Sequence, residues 1–414
     1  MHVTSLGMMT RRSVIRLATA GLTLTTVPLL GETAYAQAAS YRLRLPAPTG
    51  PYPIGTTELH LIDHRRPDPW DISPVRELMV SLWYPAVPNG ARARYAPPRA
   101  GVALADEVAT ALGLPPGSID YPGTRTHART DAPAVGRHPV ILYSPGLGTS
   151  RILGTHHVED LASRGYVVVT IDHTGEAPVE FPDGRVTPVR FPTDDPRTVI
   201  DVRVADTRFV LDRLADLTRG RNPESRPRPL PPGLHRALEL RRTGMLGYSA
   251  GGFTAAETML VDRRIDAGVN LDGTLQYGFP DGVLGEAARR GLDRPFLLFG
   301  ADGHSHLPQP GTELNDPSWT SFWNHQRGWK LDLGIPDGTH GAFADYQWSV
   351  PAVAAAFDLP PGPVTEQLGT VDPAGSVRAQ RAYIGAFFEQ FLRGRHQPLL
   401  RKPSPRYPEV IFVC

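Results

Sequence analysis

From Val140 onward the chain alternates short apolar runs with amphipathic stretches, and this alternation constrains the fold more than any other feature of the sequence. Val140-Ile141-Leu142-Tyr143 stops at Ser144-Pro145-Gly146. Tyr166-Val167-Val168-Val169-Thr170-Ile171 is rich in β-branched residues and lacks polar alternation, as a strand buried on both faces requires. Gly244 to Gly247, Ile265 to Leu271, Pro295 to Phe299 and Trp329 to Leu333 read as further strands. Between them, His156 to Arg164 reads as a helix, as does the segment that carries Ile200, Val204, Leu211 and Leu214 on one face; Gln380 to Leu392 reads as a terminal amphipathic helix. Strand after strand separated by helices predicts an α/β class, a mainly parallel central sheet with helices on both faces. Thr57 to Ile62 and Glu77 to Tyr84 read as a strand pair ahead of it. Residues 85–137, rich in Pro, Gly and Arg with one helical candidate at Val102 to Leu112, read as an excursion over the surface, and 303–328 as a second insertion.

The first residues carry an address rather than a fold. Arg11-Arg12-Ser13-Val14-Ile15 precedes a mostly apolar stretch from Leu17 to Leu30, followed by small residues at Ala34-Tyr35-Ala36 and Ala36-Gln37-Ala38. That order of charged region, apolar region and cleavage site is a secretory signal, and the paired arginines resemble a twin-arginine signal. The apolar stretch is short for a bilayer and is broken by threonines and Pro28. The expected organisation is therefore a removable signal over 1–38, cleaved after Ala36 or Ala38, and one exported catalytic domain over 39–414 with no stable transmembrane segment.

With 43 Lys+Arg against 42 Asp+Glu and no run of like charges, the sequence gives no electrostatic footprint for nucleic acid. One cysteine, Cys414, cannot form an internal disulfide and ends the chain far from every chemical motif. No EF-hand-like loop is visible, and no cofactor or metal is expected.

Gly247-Tyr248-Ser249-Ala250-Gly251 is a G-x-S-x-G sequence that follows an apolar strand and precedes a helical segment, Phe253 to Leu260. That is the context of a nucleophile elbow, a sharp turn whose flanking positions leave no room for side chains. A serine hydroxyl needs a base, and the base needs a carboxylate to orient it, in the chain order Ser, acid, His. His340, in the loop after the Trp329 to Leu333 strand, suits the base. His304 and His306 form an H-x-H pair that reads as an exposed polar loop. Asp272 and Asp302 both end strands, and the pattern leaves the choice of acid open. The oxyanion donors fall to the amide of Ala250, just after the serine, and to that of Leu147 in the Gly-rich loop Ser144 to Thr149.

Several segments together resemble the platelet-activating factor acetylhydrolase family of α/β-hydrolases, in its plasma and type II intracellular branch. They are Gly50 to Gly55, Leu78 to Ala86, His138 to Gly148, Asp160 to Tyr166, Ile171-Asp172-His173, Ser249, Asp272 and His340 to Asp345. The resemblance implies the α/β-hydrolase fold, favours Asp272 over Asp302 through its spacing from Ser249, and supports Leu147, because the Gly-Leu-Gly turn is the family's own. Pro145 and Tyr248 stand where the family often has histidine. Neither position transfers protons, so the departure bears on the acyl pocket, which Trp319, Phe322 and Trp323 could line or cover unless they simply pack on the sheet.

The expected activity is that of a metal-independent serine esterase acting on short acyl esters, which the resemblance extends to the sn-2 position of glycerophospholipids. A cutinase-like polyester hydrolase or a general small-ester esterase shares the elbow and the order of residues. A non-catalytic binding module would have lost part of the set, and all three residue types are present.

Overall fold

The β-branched and apolar runs form an eleven-stranded sheet whose central strands are buried along their whole length. The computed structural model describes residues 40–191, 195–278, 282–301, 303–308 and 315–414; the expected export signal lies outside them. In chain order the strands are β1 (Ile54–Asp63), β2 (Arg76–Pro85), β3 (Arg92–Arg94), β4 (Arg125–Thr130), β5 (His138–Ser144) and β6 (Val167–Ile171). A small hairpin, β7 (Val179–Glu180) and β8 (Val186–Thr187), precedes β9 (Leu238–Tyr248) and β10 (Ala267–Leu271). A second hairpin, β11 (Gln276–Tyr277) and β12 (Val283–Leu284), precedes β13 (Phe296–Gly300), β14 (Lys330–Gly334) and β15 (Ile411–Phe412).

The sheet runs β15-β14-β13-β10-β9-β5-β6-β2-β1-β4-β3. From β14 to β6 all neighbours are parallel, while β2 joins β6 and β1 antiparallel, so the early strand pair extends the sheet rather than standing apart. Alternate residues of each strand feed two cores. Val140, Leu142, Val167 and Val169 meet the helices Pro196–Thr218 and Ala250–Val261 on one face. Ile141, Tyr143 and Val168 meet the helices Thr155–Ser163 and Pro373–Arg393 on the other. This is the α/β-hydrolase architecture, with helices covering both faces.

Among the described residues, three helices begin at an Asp-Pro pair. Asp195, Asp316 and Asp372 each accept a hydrogen bond from a backbone N–H of the first turn, and Pro196, Pro317 and Pro373 occupy the first position, where no N–H is needed. The terminal helix therefore starts at Pro373, earlier than its apolar periodicity alone indicates.

The stretch 85–137 does more than run over the surface. Its strands β3 and β4 close one edge of the sheet, and Leu104, Ala105 and Val108 of the helix Ala100–Ala111 are buried in a third core with Trp348, Val350 and Val353. The carboxyl ends of β5, β9, β10, β13 and β14 lie along one rim, where open parallel sheets hold their ligands.

Candidate active site

Strand β9 passes into the helix Ala250–Val261 with Ser249 as the single intervening residue, held at a φ of 55°. A non-glycine residue in that region carries strain of about 1–3 kcal/mol, which the surroundings must over-determine. They do so by hydrogen bonds, from the Ser249 N–H to the Leu271 carbonyl at 2.8 Å and from the Gly252 N–H to the Ser249 carbonyl at 2.8 Å. The flanking glycines are steric necessities: a Cβ on Gly247 would sit 2.0 Å from the Gly251 backbone, and one on Gly251 would sit 1.9 Å from the Ser144 carbonyl oxygen.

Asp272 follows β10 immediately, also at positive φ, with its N–H donating to the Phe299 carbonyl of the neighbouring strand at 2.9 Å. Its carboxylate is almost fully buried. Oδ2 lies 2.5 Å from His340 Nδ1, and Oδ1 accepts from the Ala301 N–H at 2.6 Å. His340 opens a short helical turn, His340–Phe343, beyond β14, and its Nε2 lies 2.9 Å from the Ser249 hydroxyl. With Nδ1–H donating to Asp272, Nε2 is left to accept the serine proton. The imidazole packs over the Tyr248 ring, with centroids 4.9 Å apart. The three expected residues thus form one hydrogen-bonded chain, an arrangement able to generate an alkoxide-like nucleophile near neutral pH. Asp302 lies outside the described residues.

The H-x-H pair departs from expectation. Rather than lying in an exposed polar loop, His304 turns inward, its Nδ1 3.2 Å from Asp272 Oδ1 and its Nε2 3.8 Å from Asp316. His306 is buried with Nδ1 2.6 Å from Asp332 and its ring stacked on Trp323 at 3.8 Å. The signal was topological: His304 follows β13, the parallel neighbour of β10, so its loop emerges beside Asp272. Burial opposes charge on His304, but the Asp272 carboxylate outweighs it and raises the imidazole to about 9. Burial likewise opposes charge on Asp272, yet His304 and His340 hold its carboxyl far below the ordinary carboxylate range. The donor atoms of Asp272, His304 and His340 converge within 4.8 Å, and the separations to Asp272 are those of N–H···O contacts. One carboxylate thus holds two imidazoles, His340 on the side of Ser249 and His304 on the side of Asp316.

The loop after β5 lies against the elbow. A Cβ on Gly146 would be 3.3 Å from the Ser249 Cβ. The Thr149 N–H returns to the Gly146 carbonyl at 3.2 Å and Gly148 has a φ of 70°, so residues 146–149 form a type II turn with Leu147 exposed at its second position. Ala250 is the first residue of the elbow helix, so its N–H has no intrahelical carbonyl to meet. Of the aromatic residues, Trp319 and Phe322 are fully buried in the core, where the Trp319 indole N–H donates to the Gly273 carbonyl at 2.8 Å and braces the turn after Asp272.

Comparison with known proteins finds esterase relatives. Residues 37–179 match the family described as platelet-activating factor acetylhydrolase, isoform II. A probable 1-alkyl-2-acetylglycerophosphocholine esterase of Arthroderma benhamiae is 31% identical over 400 residues, spanning 89% of this chain and 93% of its own. The platelet-activating factor acetylhydrolase of Cavia porcellus is 22% identical over 239 residues, 51% of this chain and 50% of its own. Among solved structures, a ferulic acid esterase from Streptomyces cinnamoneus superimposes with a TM-score of 0.71 at 39% sequence identity, covering 89% of this chain and 99% of that one.

Proposed function

The chain belongs to the platelet-activating factor acetylhydrolase family and is a carboxylic ester hydrolase; from that premise we propose that it is a secreted serine esterase that removes short acyl groups through an acyl-enzyme on Ser249. The observation that carries this reading is the continuous chain of hydrogen bonds from Ser249 through His340 to Asp272 at a strand–turn–helix elbow.

In this mechanism the Ser249 oxygen attacks the ester carbonyl as its proton passes to His340 Nε2. Asp272 keeps Nδ1 protonated and stabilises the imidazolium. The negative charge on the carbonyl oxygen is met by the N–H groups of Leu147 and Ala250. Collapse of the intermediate breaks the ester C–O bond, the leaving alcohol takes the proton from His340, and the acyl group stays on Ser249. A water then gives its proton to His340 and attacks the acyl carbonyl. The carboxylic acid leaves as the proton returns to Ser249.

The family likeness supports an acetyl or other short acyl group at the sn-2 position of a glycerophospholipid. The likeness to a ferulic acid esterase, at 39% identity against 31% for the Arthroderma benhamiae esterase, supports a second reading, an esterase of small aryl acids. A polyester is a third substrate class that the same elbow could serve. Export rests on the Arg11-Arg12 signal and is tested by locating the mature chain outside the cytoplasm. Rates on an sn-2 acetyl phospholipid, its long-chain analogues, methyl ferulate and a soluble polyester fragment separate these readings. A preference for the acetyl phospholipid supports the first, and a preference for methyl ferulate or long chains rejects it.

The oxyanion assignment has its own test. The second position of a type II turn accepts proline, so Leu147→Pro keeps the turn and deletes the N–H. The expected loss in kcat is about a hundred- to a thousand-fold. Unchanged turnover would show that the donor lies elsewhere.

A further inference from the structure

The helix Pro196–Thr218 turns a guanidinium into the core. Arg203 is fully buried on a face that also carries Val199, Ile200, Asp206, Thr207, Val210 and Leu211. A cation there must be paired, and Glu176 supplies the counter-charge, with Arg203 Nε 2.8 Å from its Oε1 and Nη2 on its Oε2. The guanidinium also binds two consecutive main-chain carbonyls. Nη1 donates to the Pro145 oxygen at 2.8 Å and Nη2 to the Gly146 oxygen at 2.9 Å.

The second of those carbonyls opens the turn that presents Leu147, and the first directly precedes it. In a trans peptide the C=O and the following N–H point in opposite directions. Holding the Gly146 oxygen inward, against a fixed cation, therefore sends the Leu147 N–H away from the core, out of the loop that borders Ser249. A charged donor on the carbonyl also polarises the whole peptide unit and strengthens its N–H as a donor. We infer that Arg203 is a positioning residue for catalysis, which fixes and polarises the Gly146–Leu147 peptide so that its N–H is set for the oxyanion before substrate arrives.

The inference rests on the reading of Leu147 as an oxyanion donor, and the two can fail separately. The test compares wild type, Arg203→Lys, the charge-free pair Arg203→Met with Glu176→Gln, Leu147→Pro, and Leu147→Pro combined with Arg203→Lys. Arg203→Lys keeps a cation opposite Glu176 and so protects folding, but its single ammonium cannot reproduce the fork over both carbonyls. The readouts are kcat and KM on p-nitrophenyl acetate, affinity for a trifluoromethyl ketone whose serine adduct bears an oxyanion, and a cooperative thermal melt.

Arg203→Lys is expected to lower kcat about tenfold or more, and the charge-free pair about a hundredfold, with KM within about threefold of wild type. Ketone affinity should fall in parallel with kcat/KM. In the Leu147→Pro background Arg203→Lys should cost less than about twofold further, because the group it positions is gone. Wild-type kcat in folded Arg203 variants would overturn the inference, as would full additivity with Leu147→Pro. Wild-type turnover in Leu147→Pro alone would instead reject the oxyanion assignment on which the inference stands.

Discussion

Two clusters of charged side chains lie on either side of the Pro145–Thr149 turn, and they differ in what their charges are free to do. On the rim, Ser249, His340 and Asp272 form a chain with one open end, the His340 side chain being 37% exposed. Beneath the turn, Arg203 with Glu176, and Arg76 with Asp206, are shut from solvent. His173 spans from Ser144, at 2.9 Å, to Asp206, at 3.0 Å. Burial, with Arg203 nearby, pushes the His173 imidazole down and favours its neutral form. Burial works against the charge on Asp206, but Arg76 dominates and holds its carboxyl far below the usual range. The rim cluster is arranged to move a proton, and the inner cluster to hold charges still. Rim substitutions should therefore cost rate, and inner substitutions should cost stability, with Arg203 the point where the two meet.

The largest expected effect is on the rim. Ser249→Ala should lower kcat by about ten-thousand-fold or more while leaving the thermal midpoint near that of wild type. Asp272→Asn should cost about a thousand- to ten-thousand-fold in kcat, because the wrong imidazole tautomer would face Ser249. Asp302→Asn should stay within a few-fold of wild type, and a reversal of these two results in steady-state kinetics would move the acid to the next strand. For the inner cluster, Asp206→Ala leaves the buried Arg76 with Asp68, at 3.4 Å, as its carboxylate partner and takes away the shorter ion pair; it should destabilise the fold by about 3 kcal/mol in urea unfolding. Its kcat, measured where the variant is folded, should be near normal, and a rate loss without a stability loss would erase the contrast.

The smallest effect belongs to His304, which touches the catalytic carboxylate without lying in the proton path. Its imidazole is raised from 6.5 to about 9 in the folded state. The stability it contributes is therefore fully present below about pH 6.5 and lost as the pH rises through about 9. Thermal midpoints of His304→Gln and wild type should diverge most below pH 6.5 and converge above pH 9. A constant gap across that range would show that His304 does not bear the charge.

How much of this was legible in the sequence follows the same division. The elbow was readable because steric exclusion leaves a local trace: Gly247 and Gly251 are required by backbone approaches of about 2 Å. The parallel strands were readable because burial on both faces demands unbroken apolar runs. Asp272 could not be separated from Asp302 by pattern, since both follow parallel strands, and only the family resemblance favoured it. The paired histidines misled because an H-x-H in a polar context carries no sign of the neighbouring strand's loop. Strand β15 is only two residues long and pairs with β14 from far along the chain, so nothing local announces it. Arg203 and Asp206 did leave a trace, as charges inside the stripe that carries Ile200, Val210, Leu211 and Leu214. A charge on a buried helical face needs a partner from another element, and the partners, Glu176 and Arg76, are supplied only by the folded chain.

The most direct test of the central claim is to treat the enzyme with a serine-directed fluorophosphonate and follow both activity and the site of modification. The expected result is one adduct per chain, on the peptide that contains Ser249, with esterase activity lost in proportion to labelling and no adduct in His340→Ala on the same timescale. An adduct on any other residue, or full activity in chains already modified at Ser249, would contradict it.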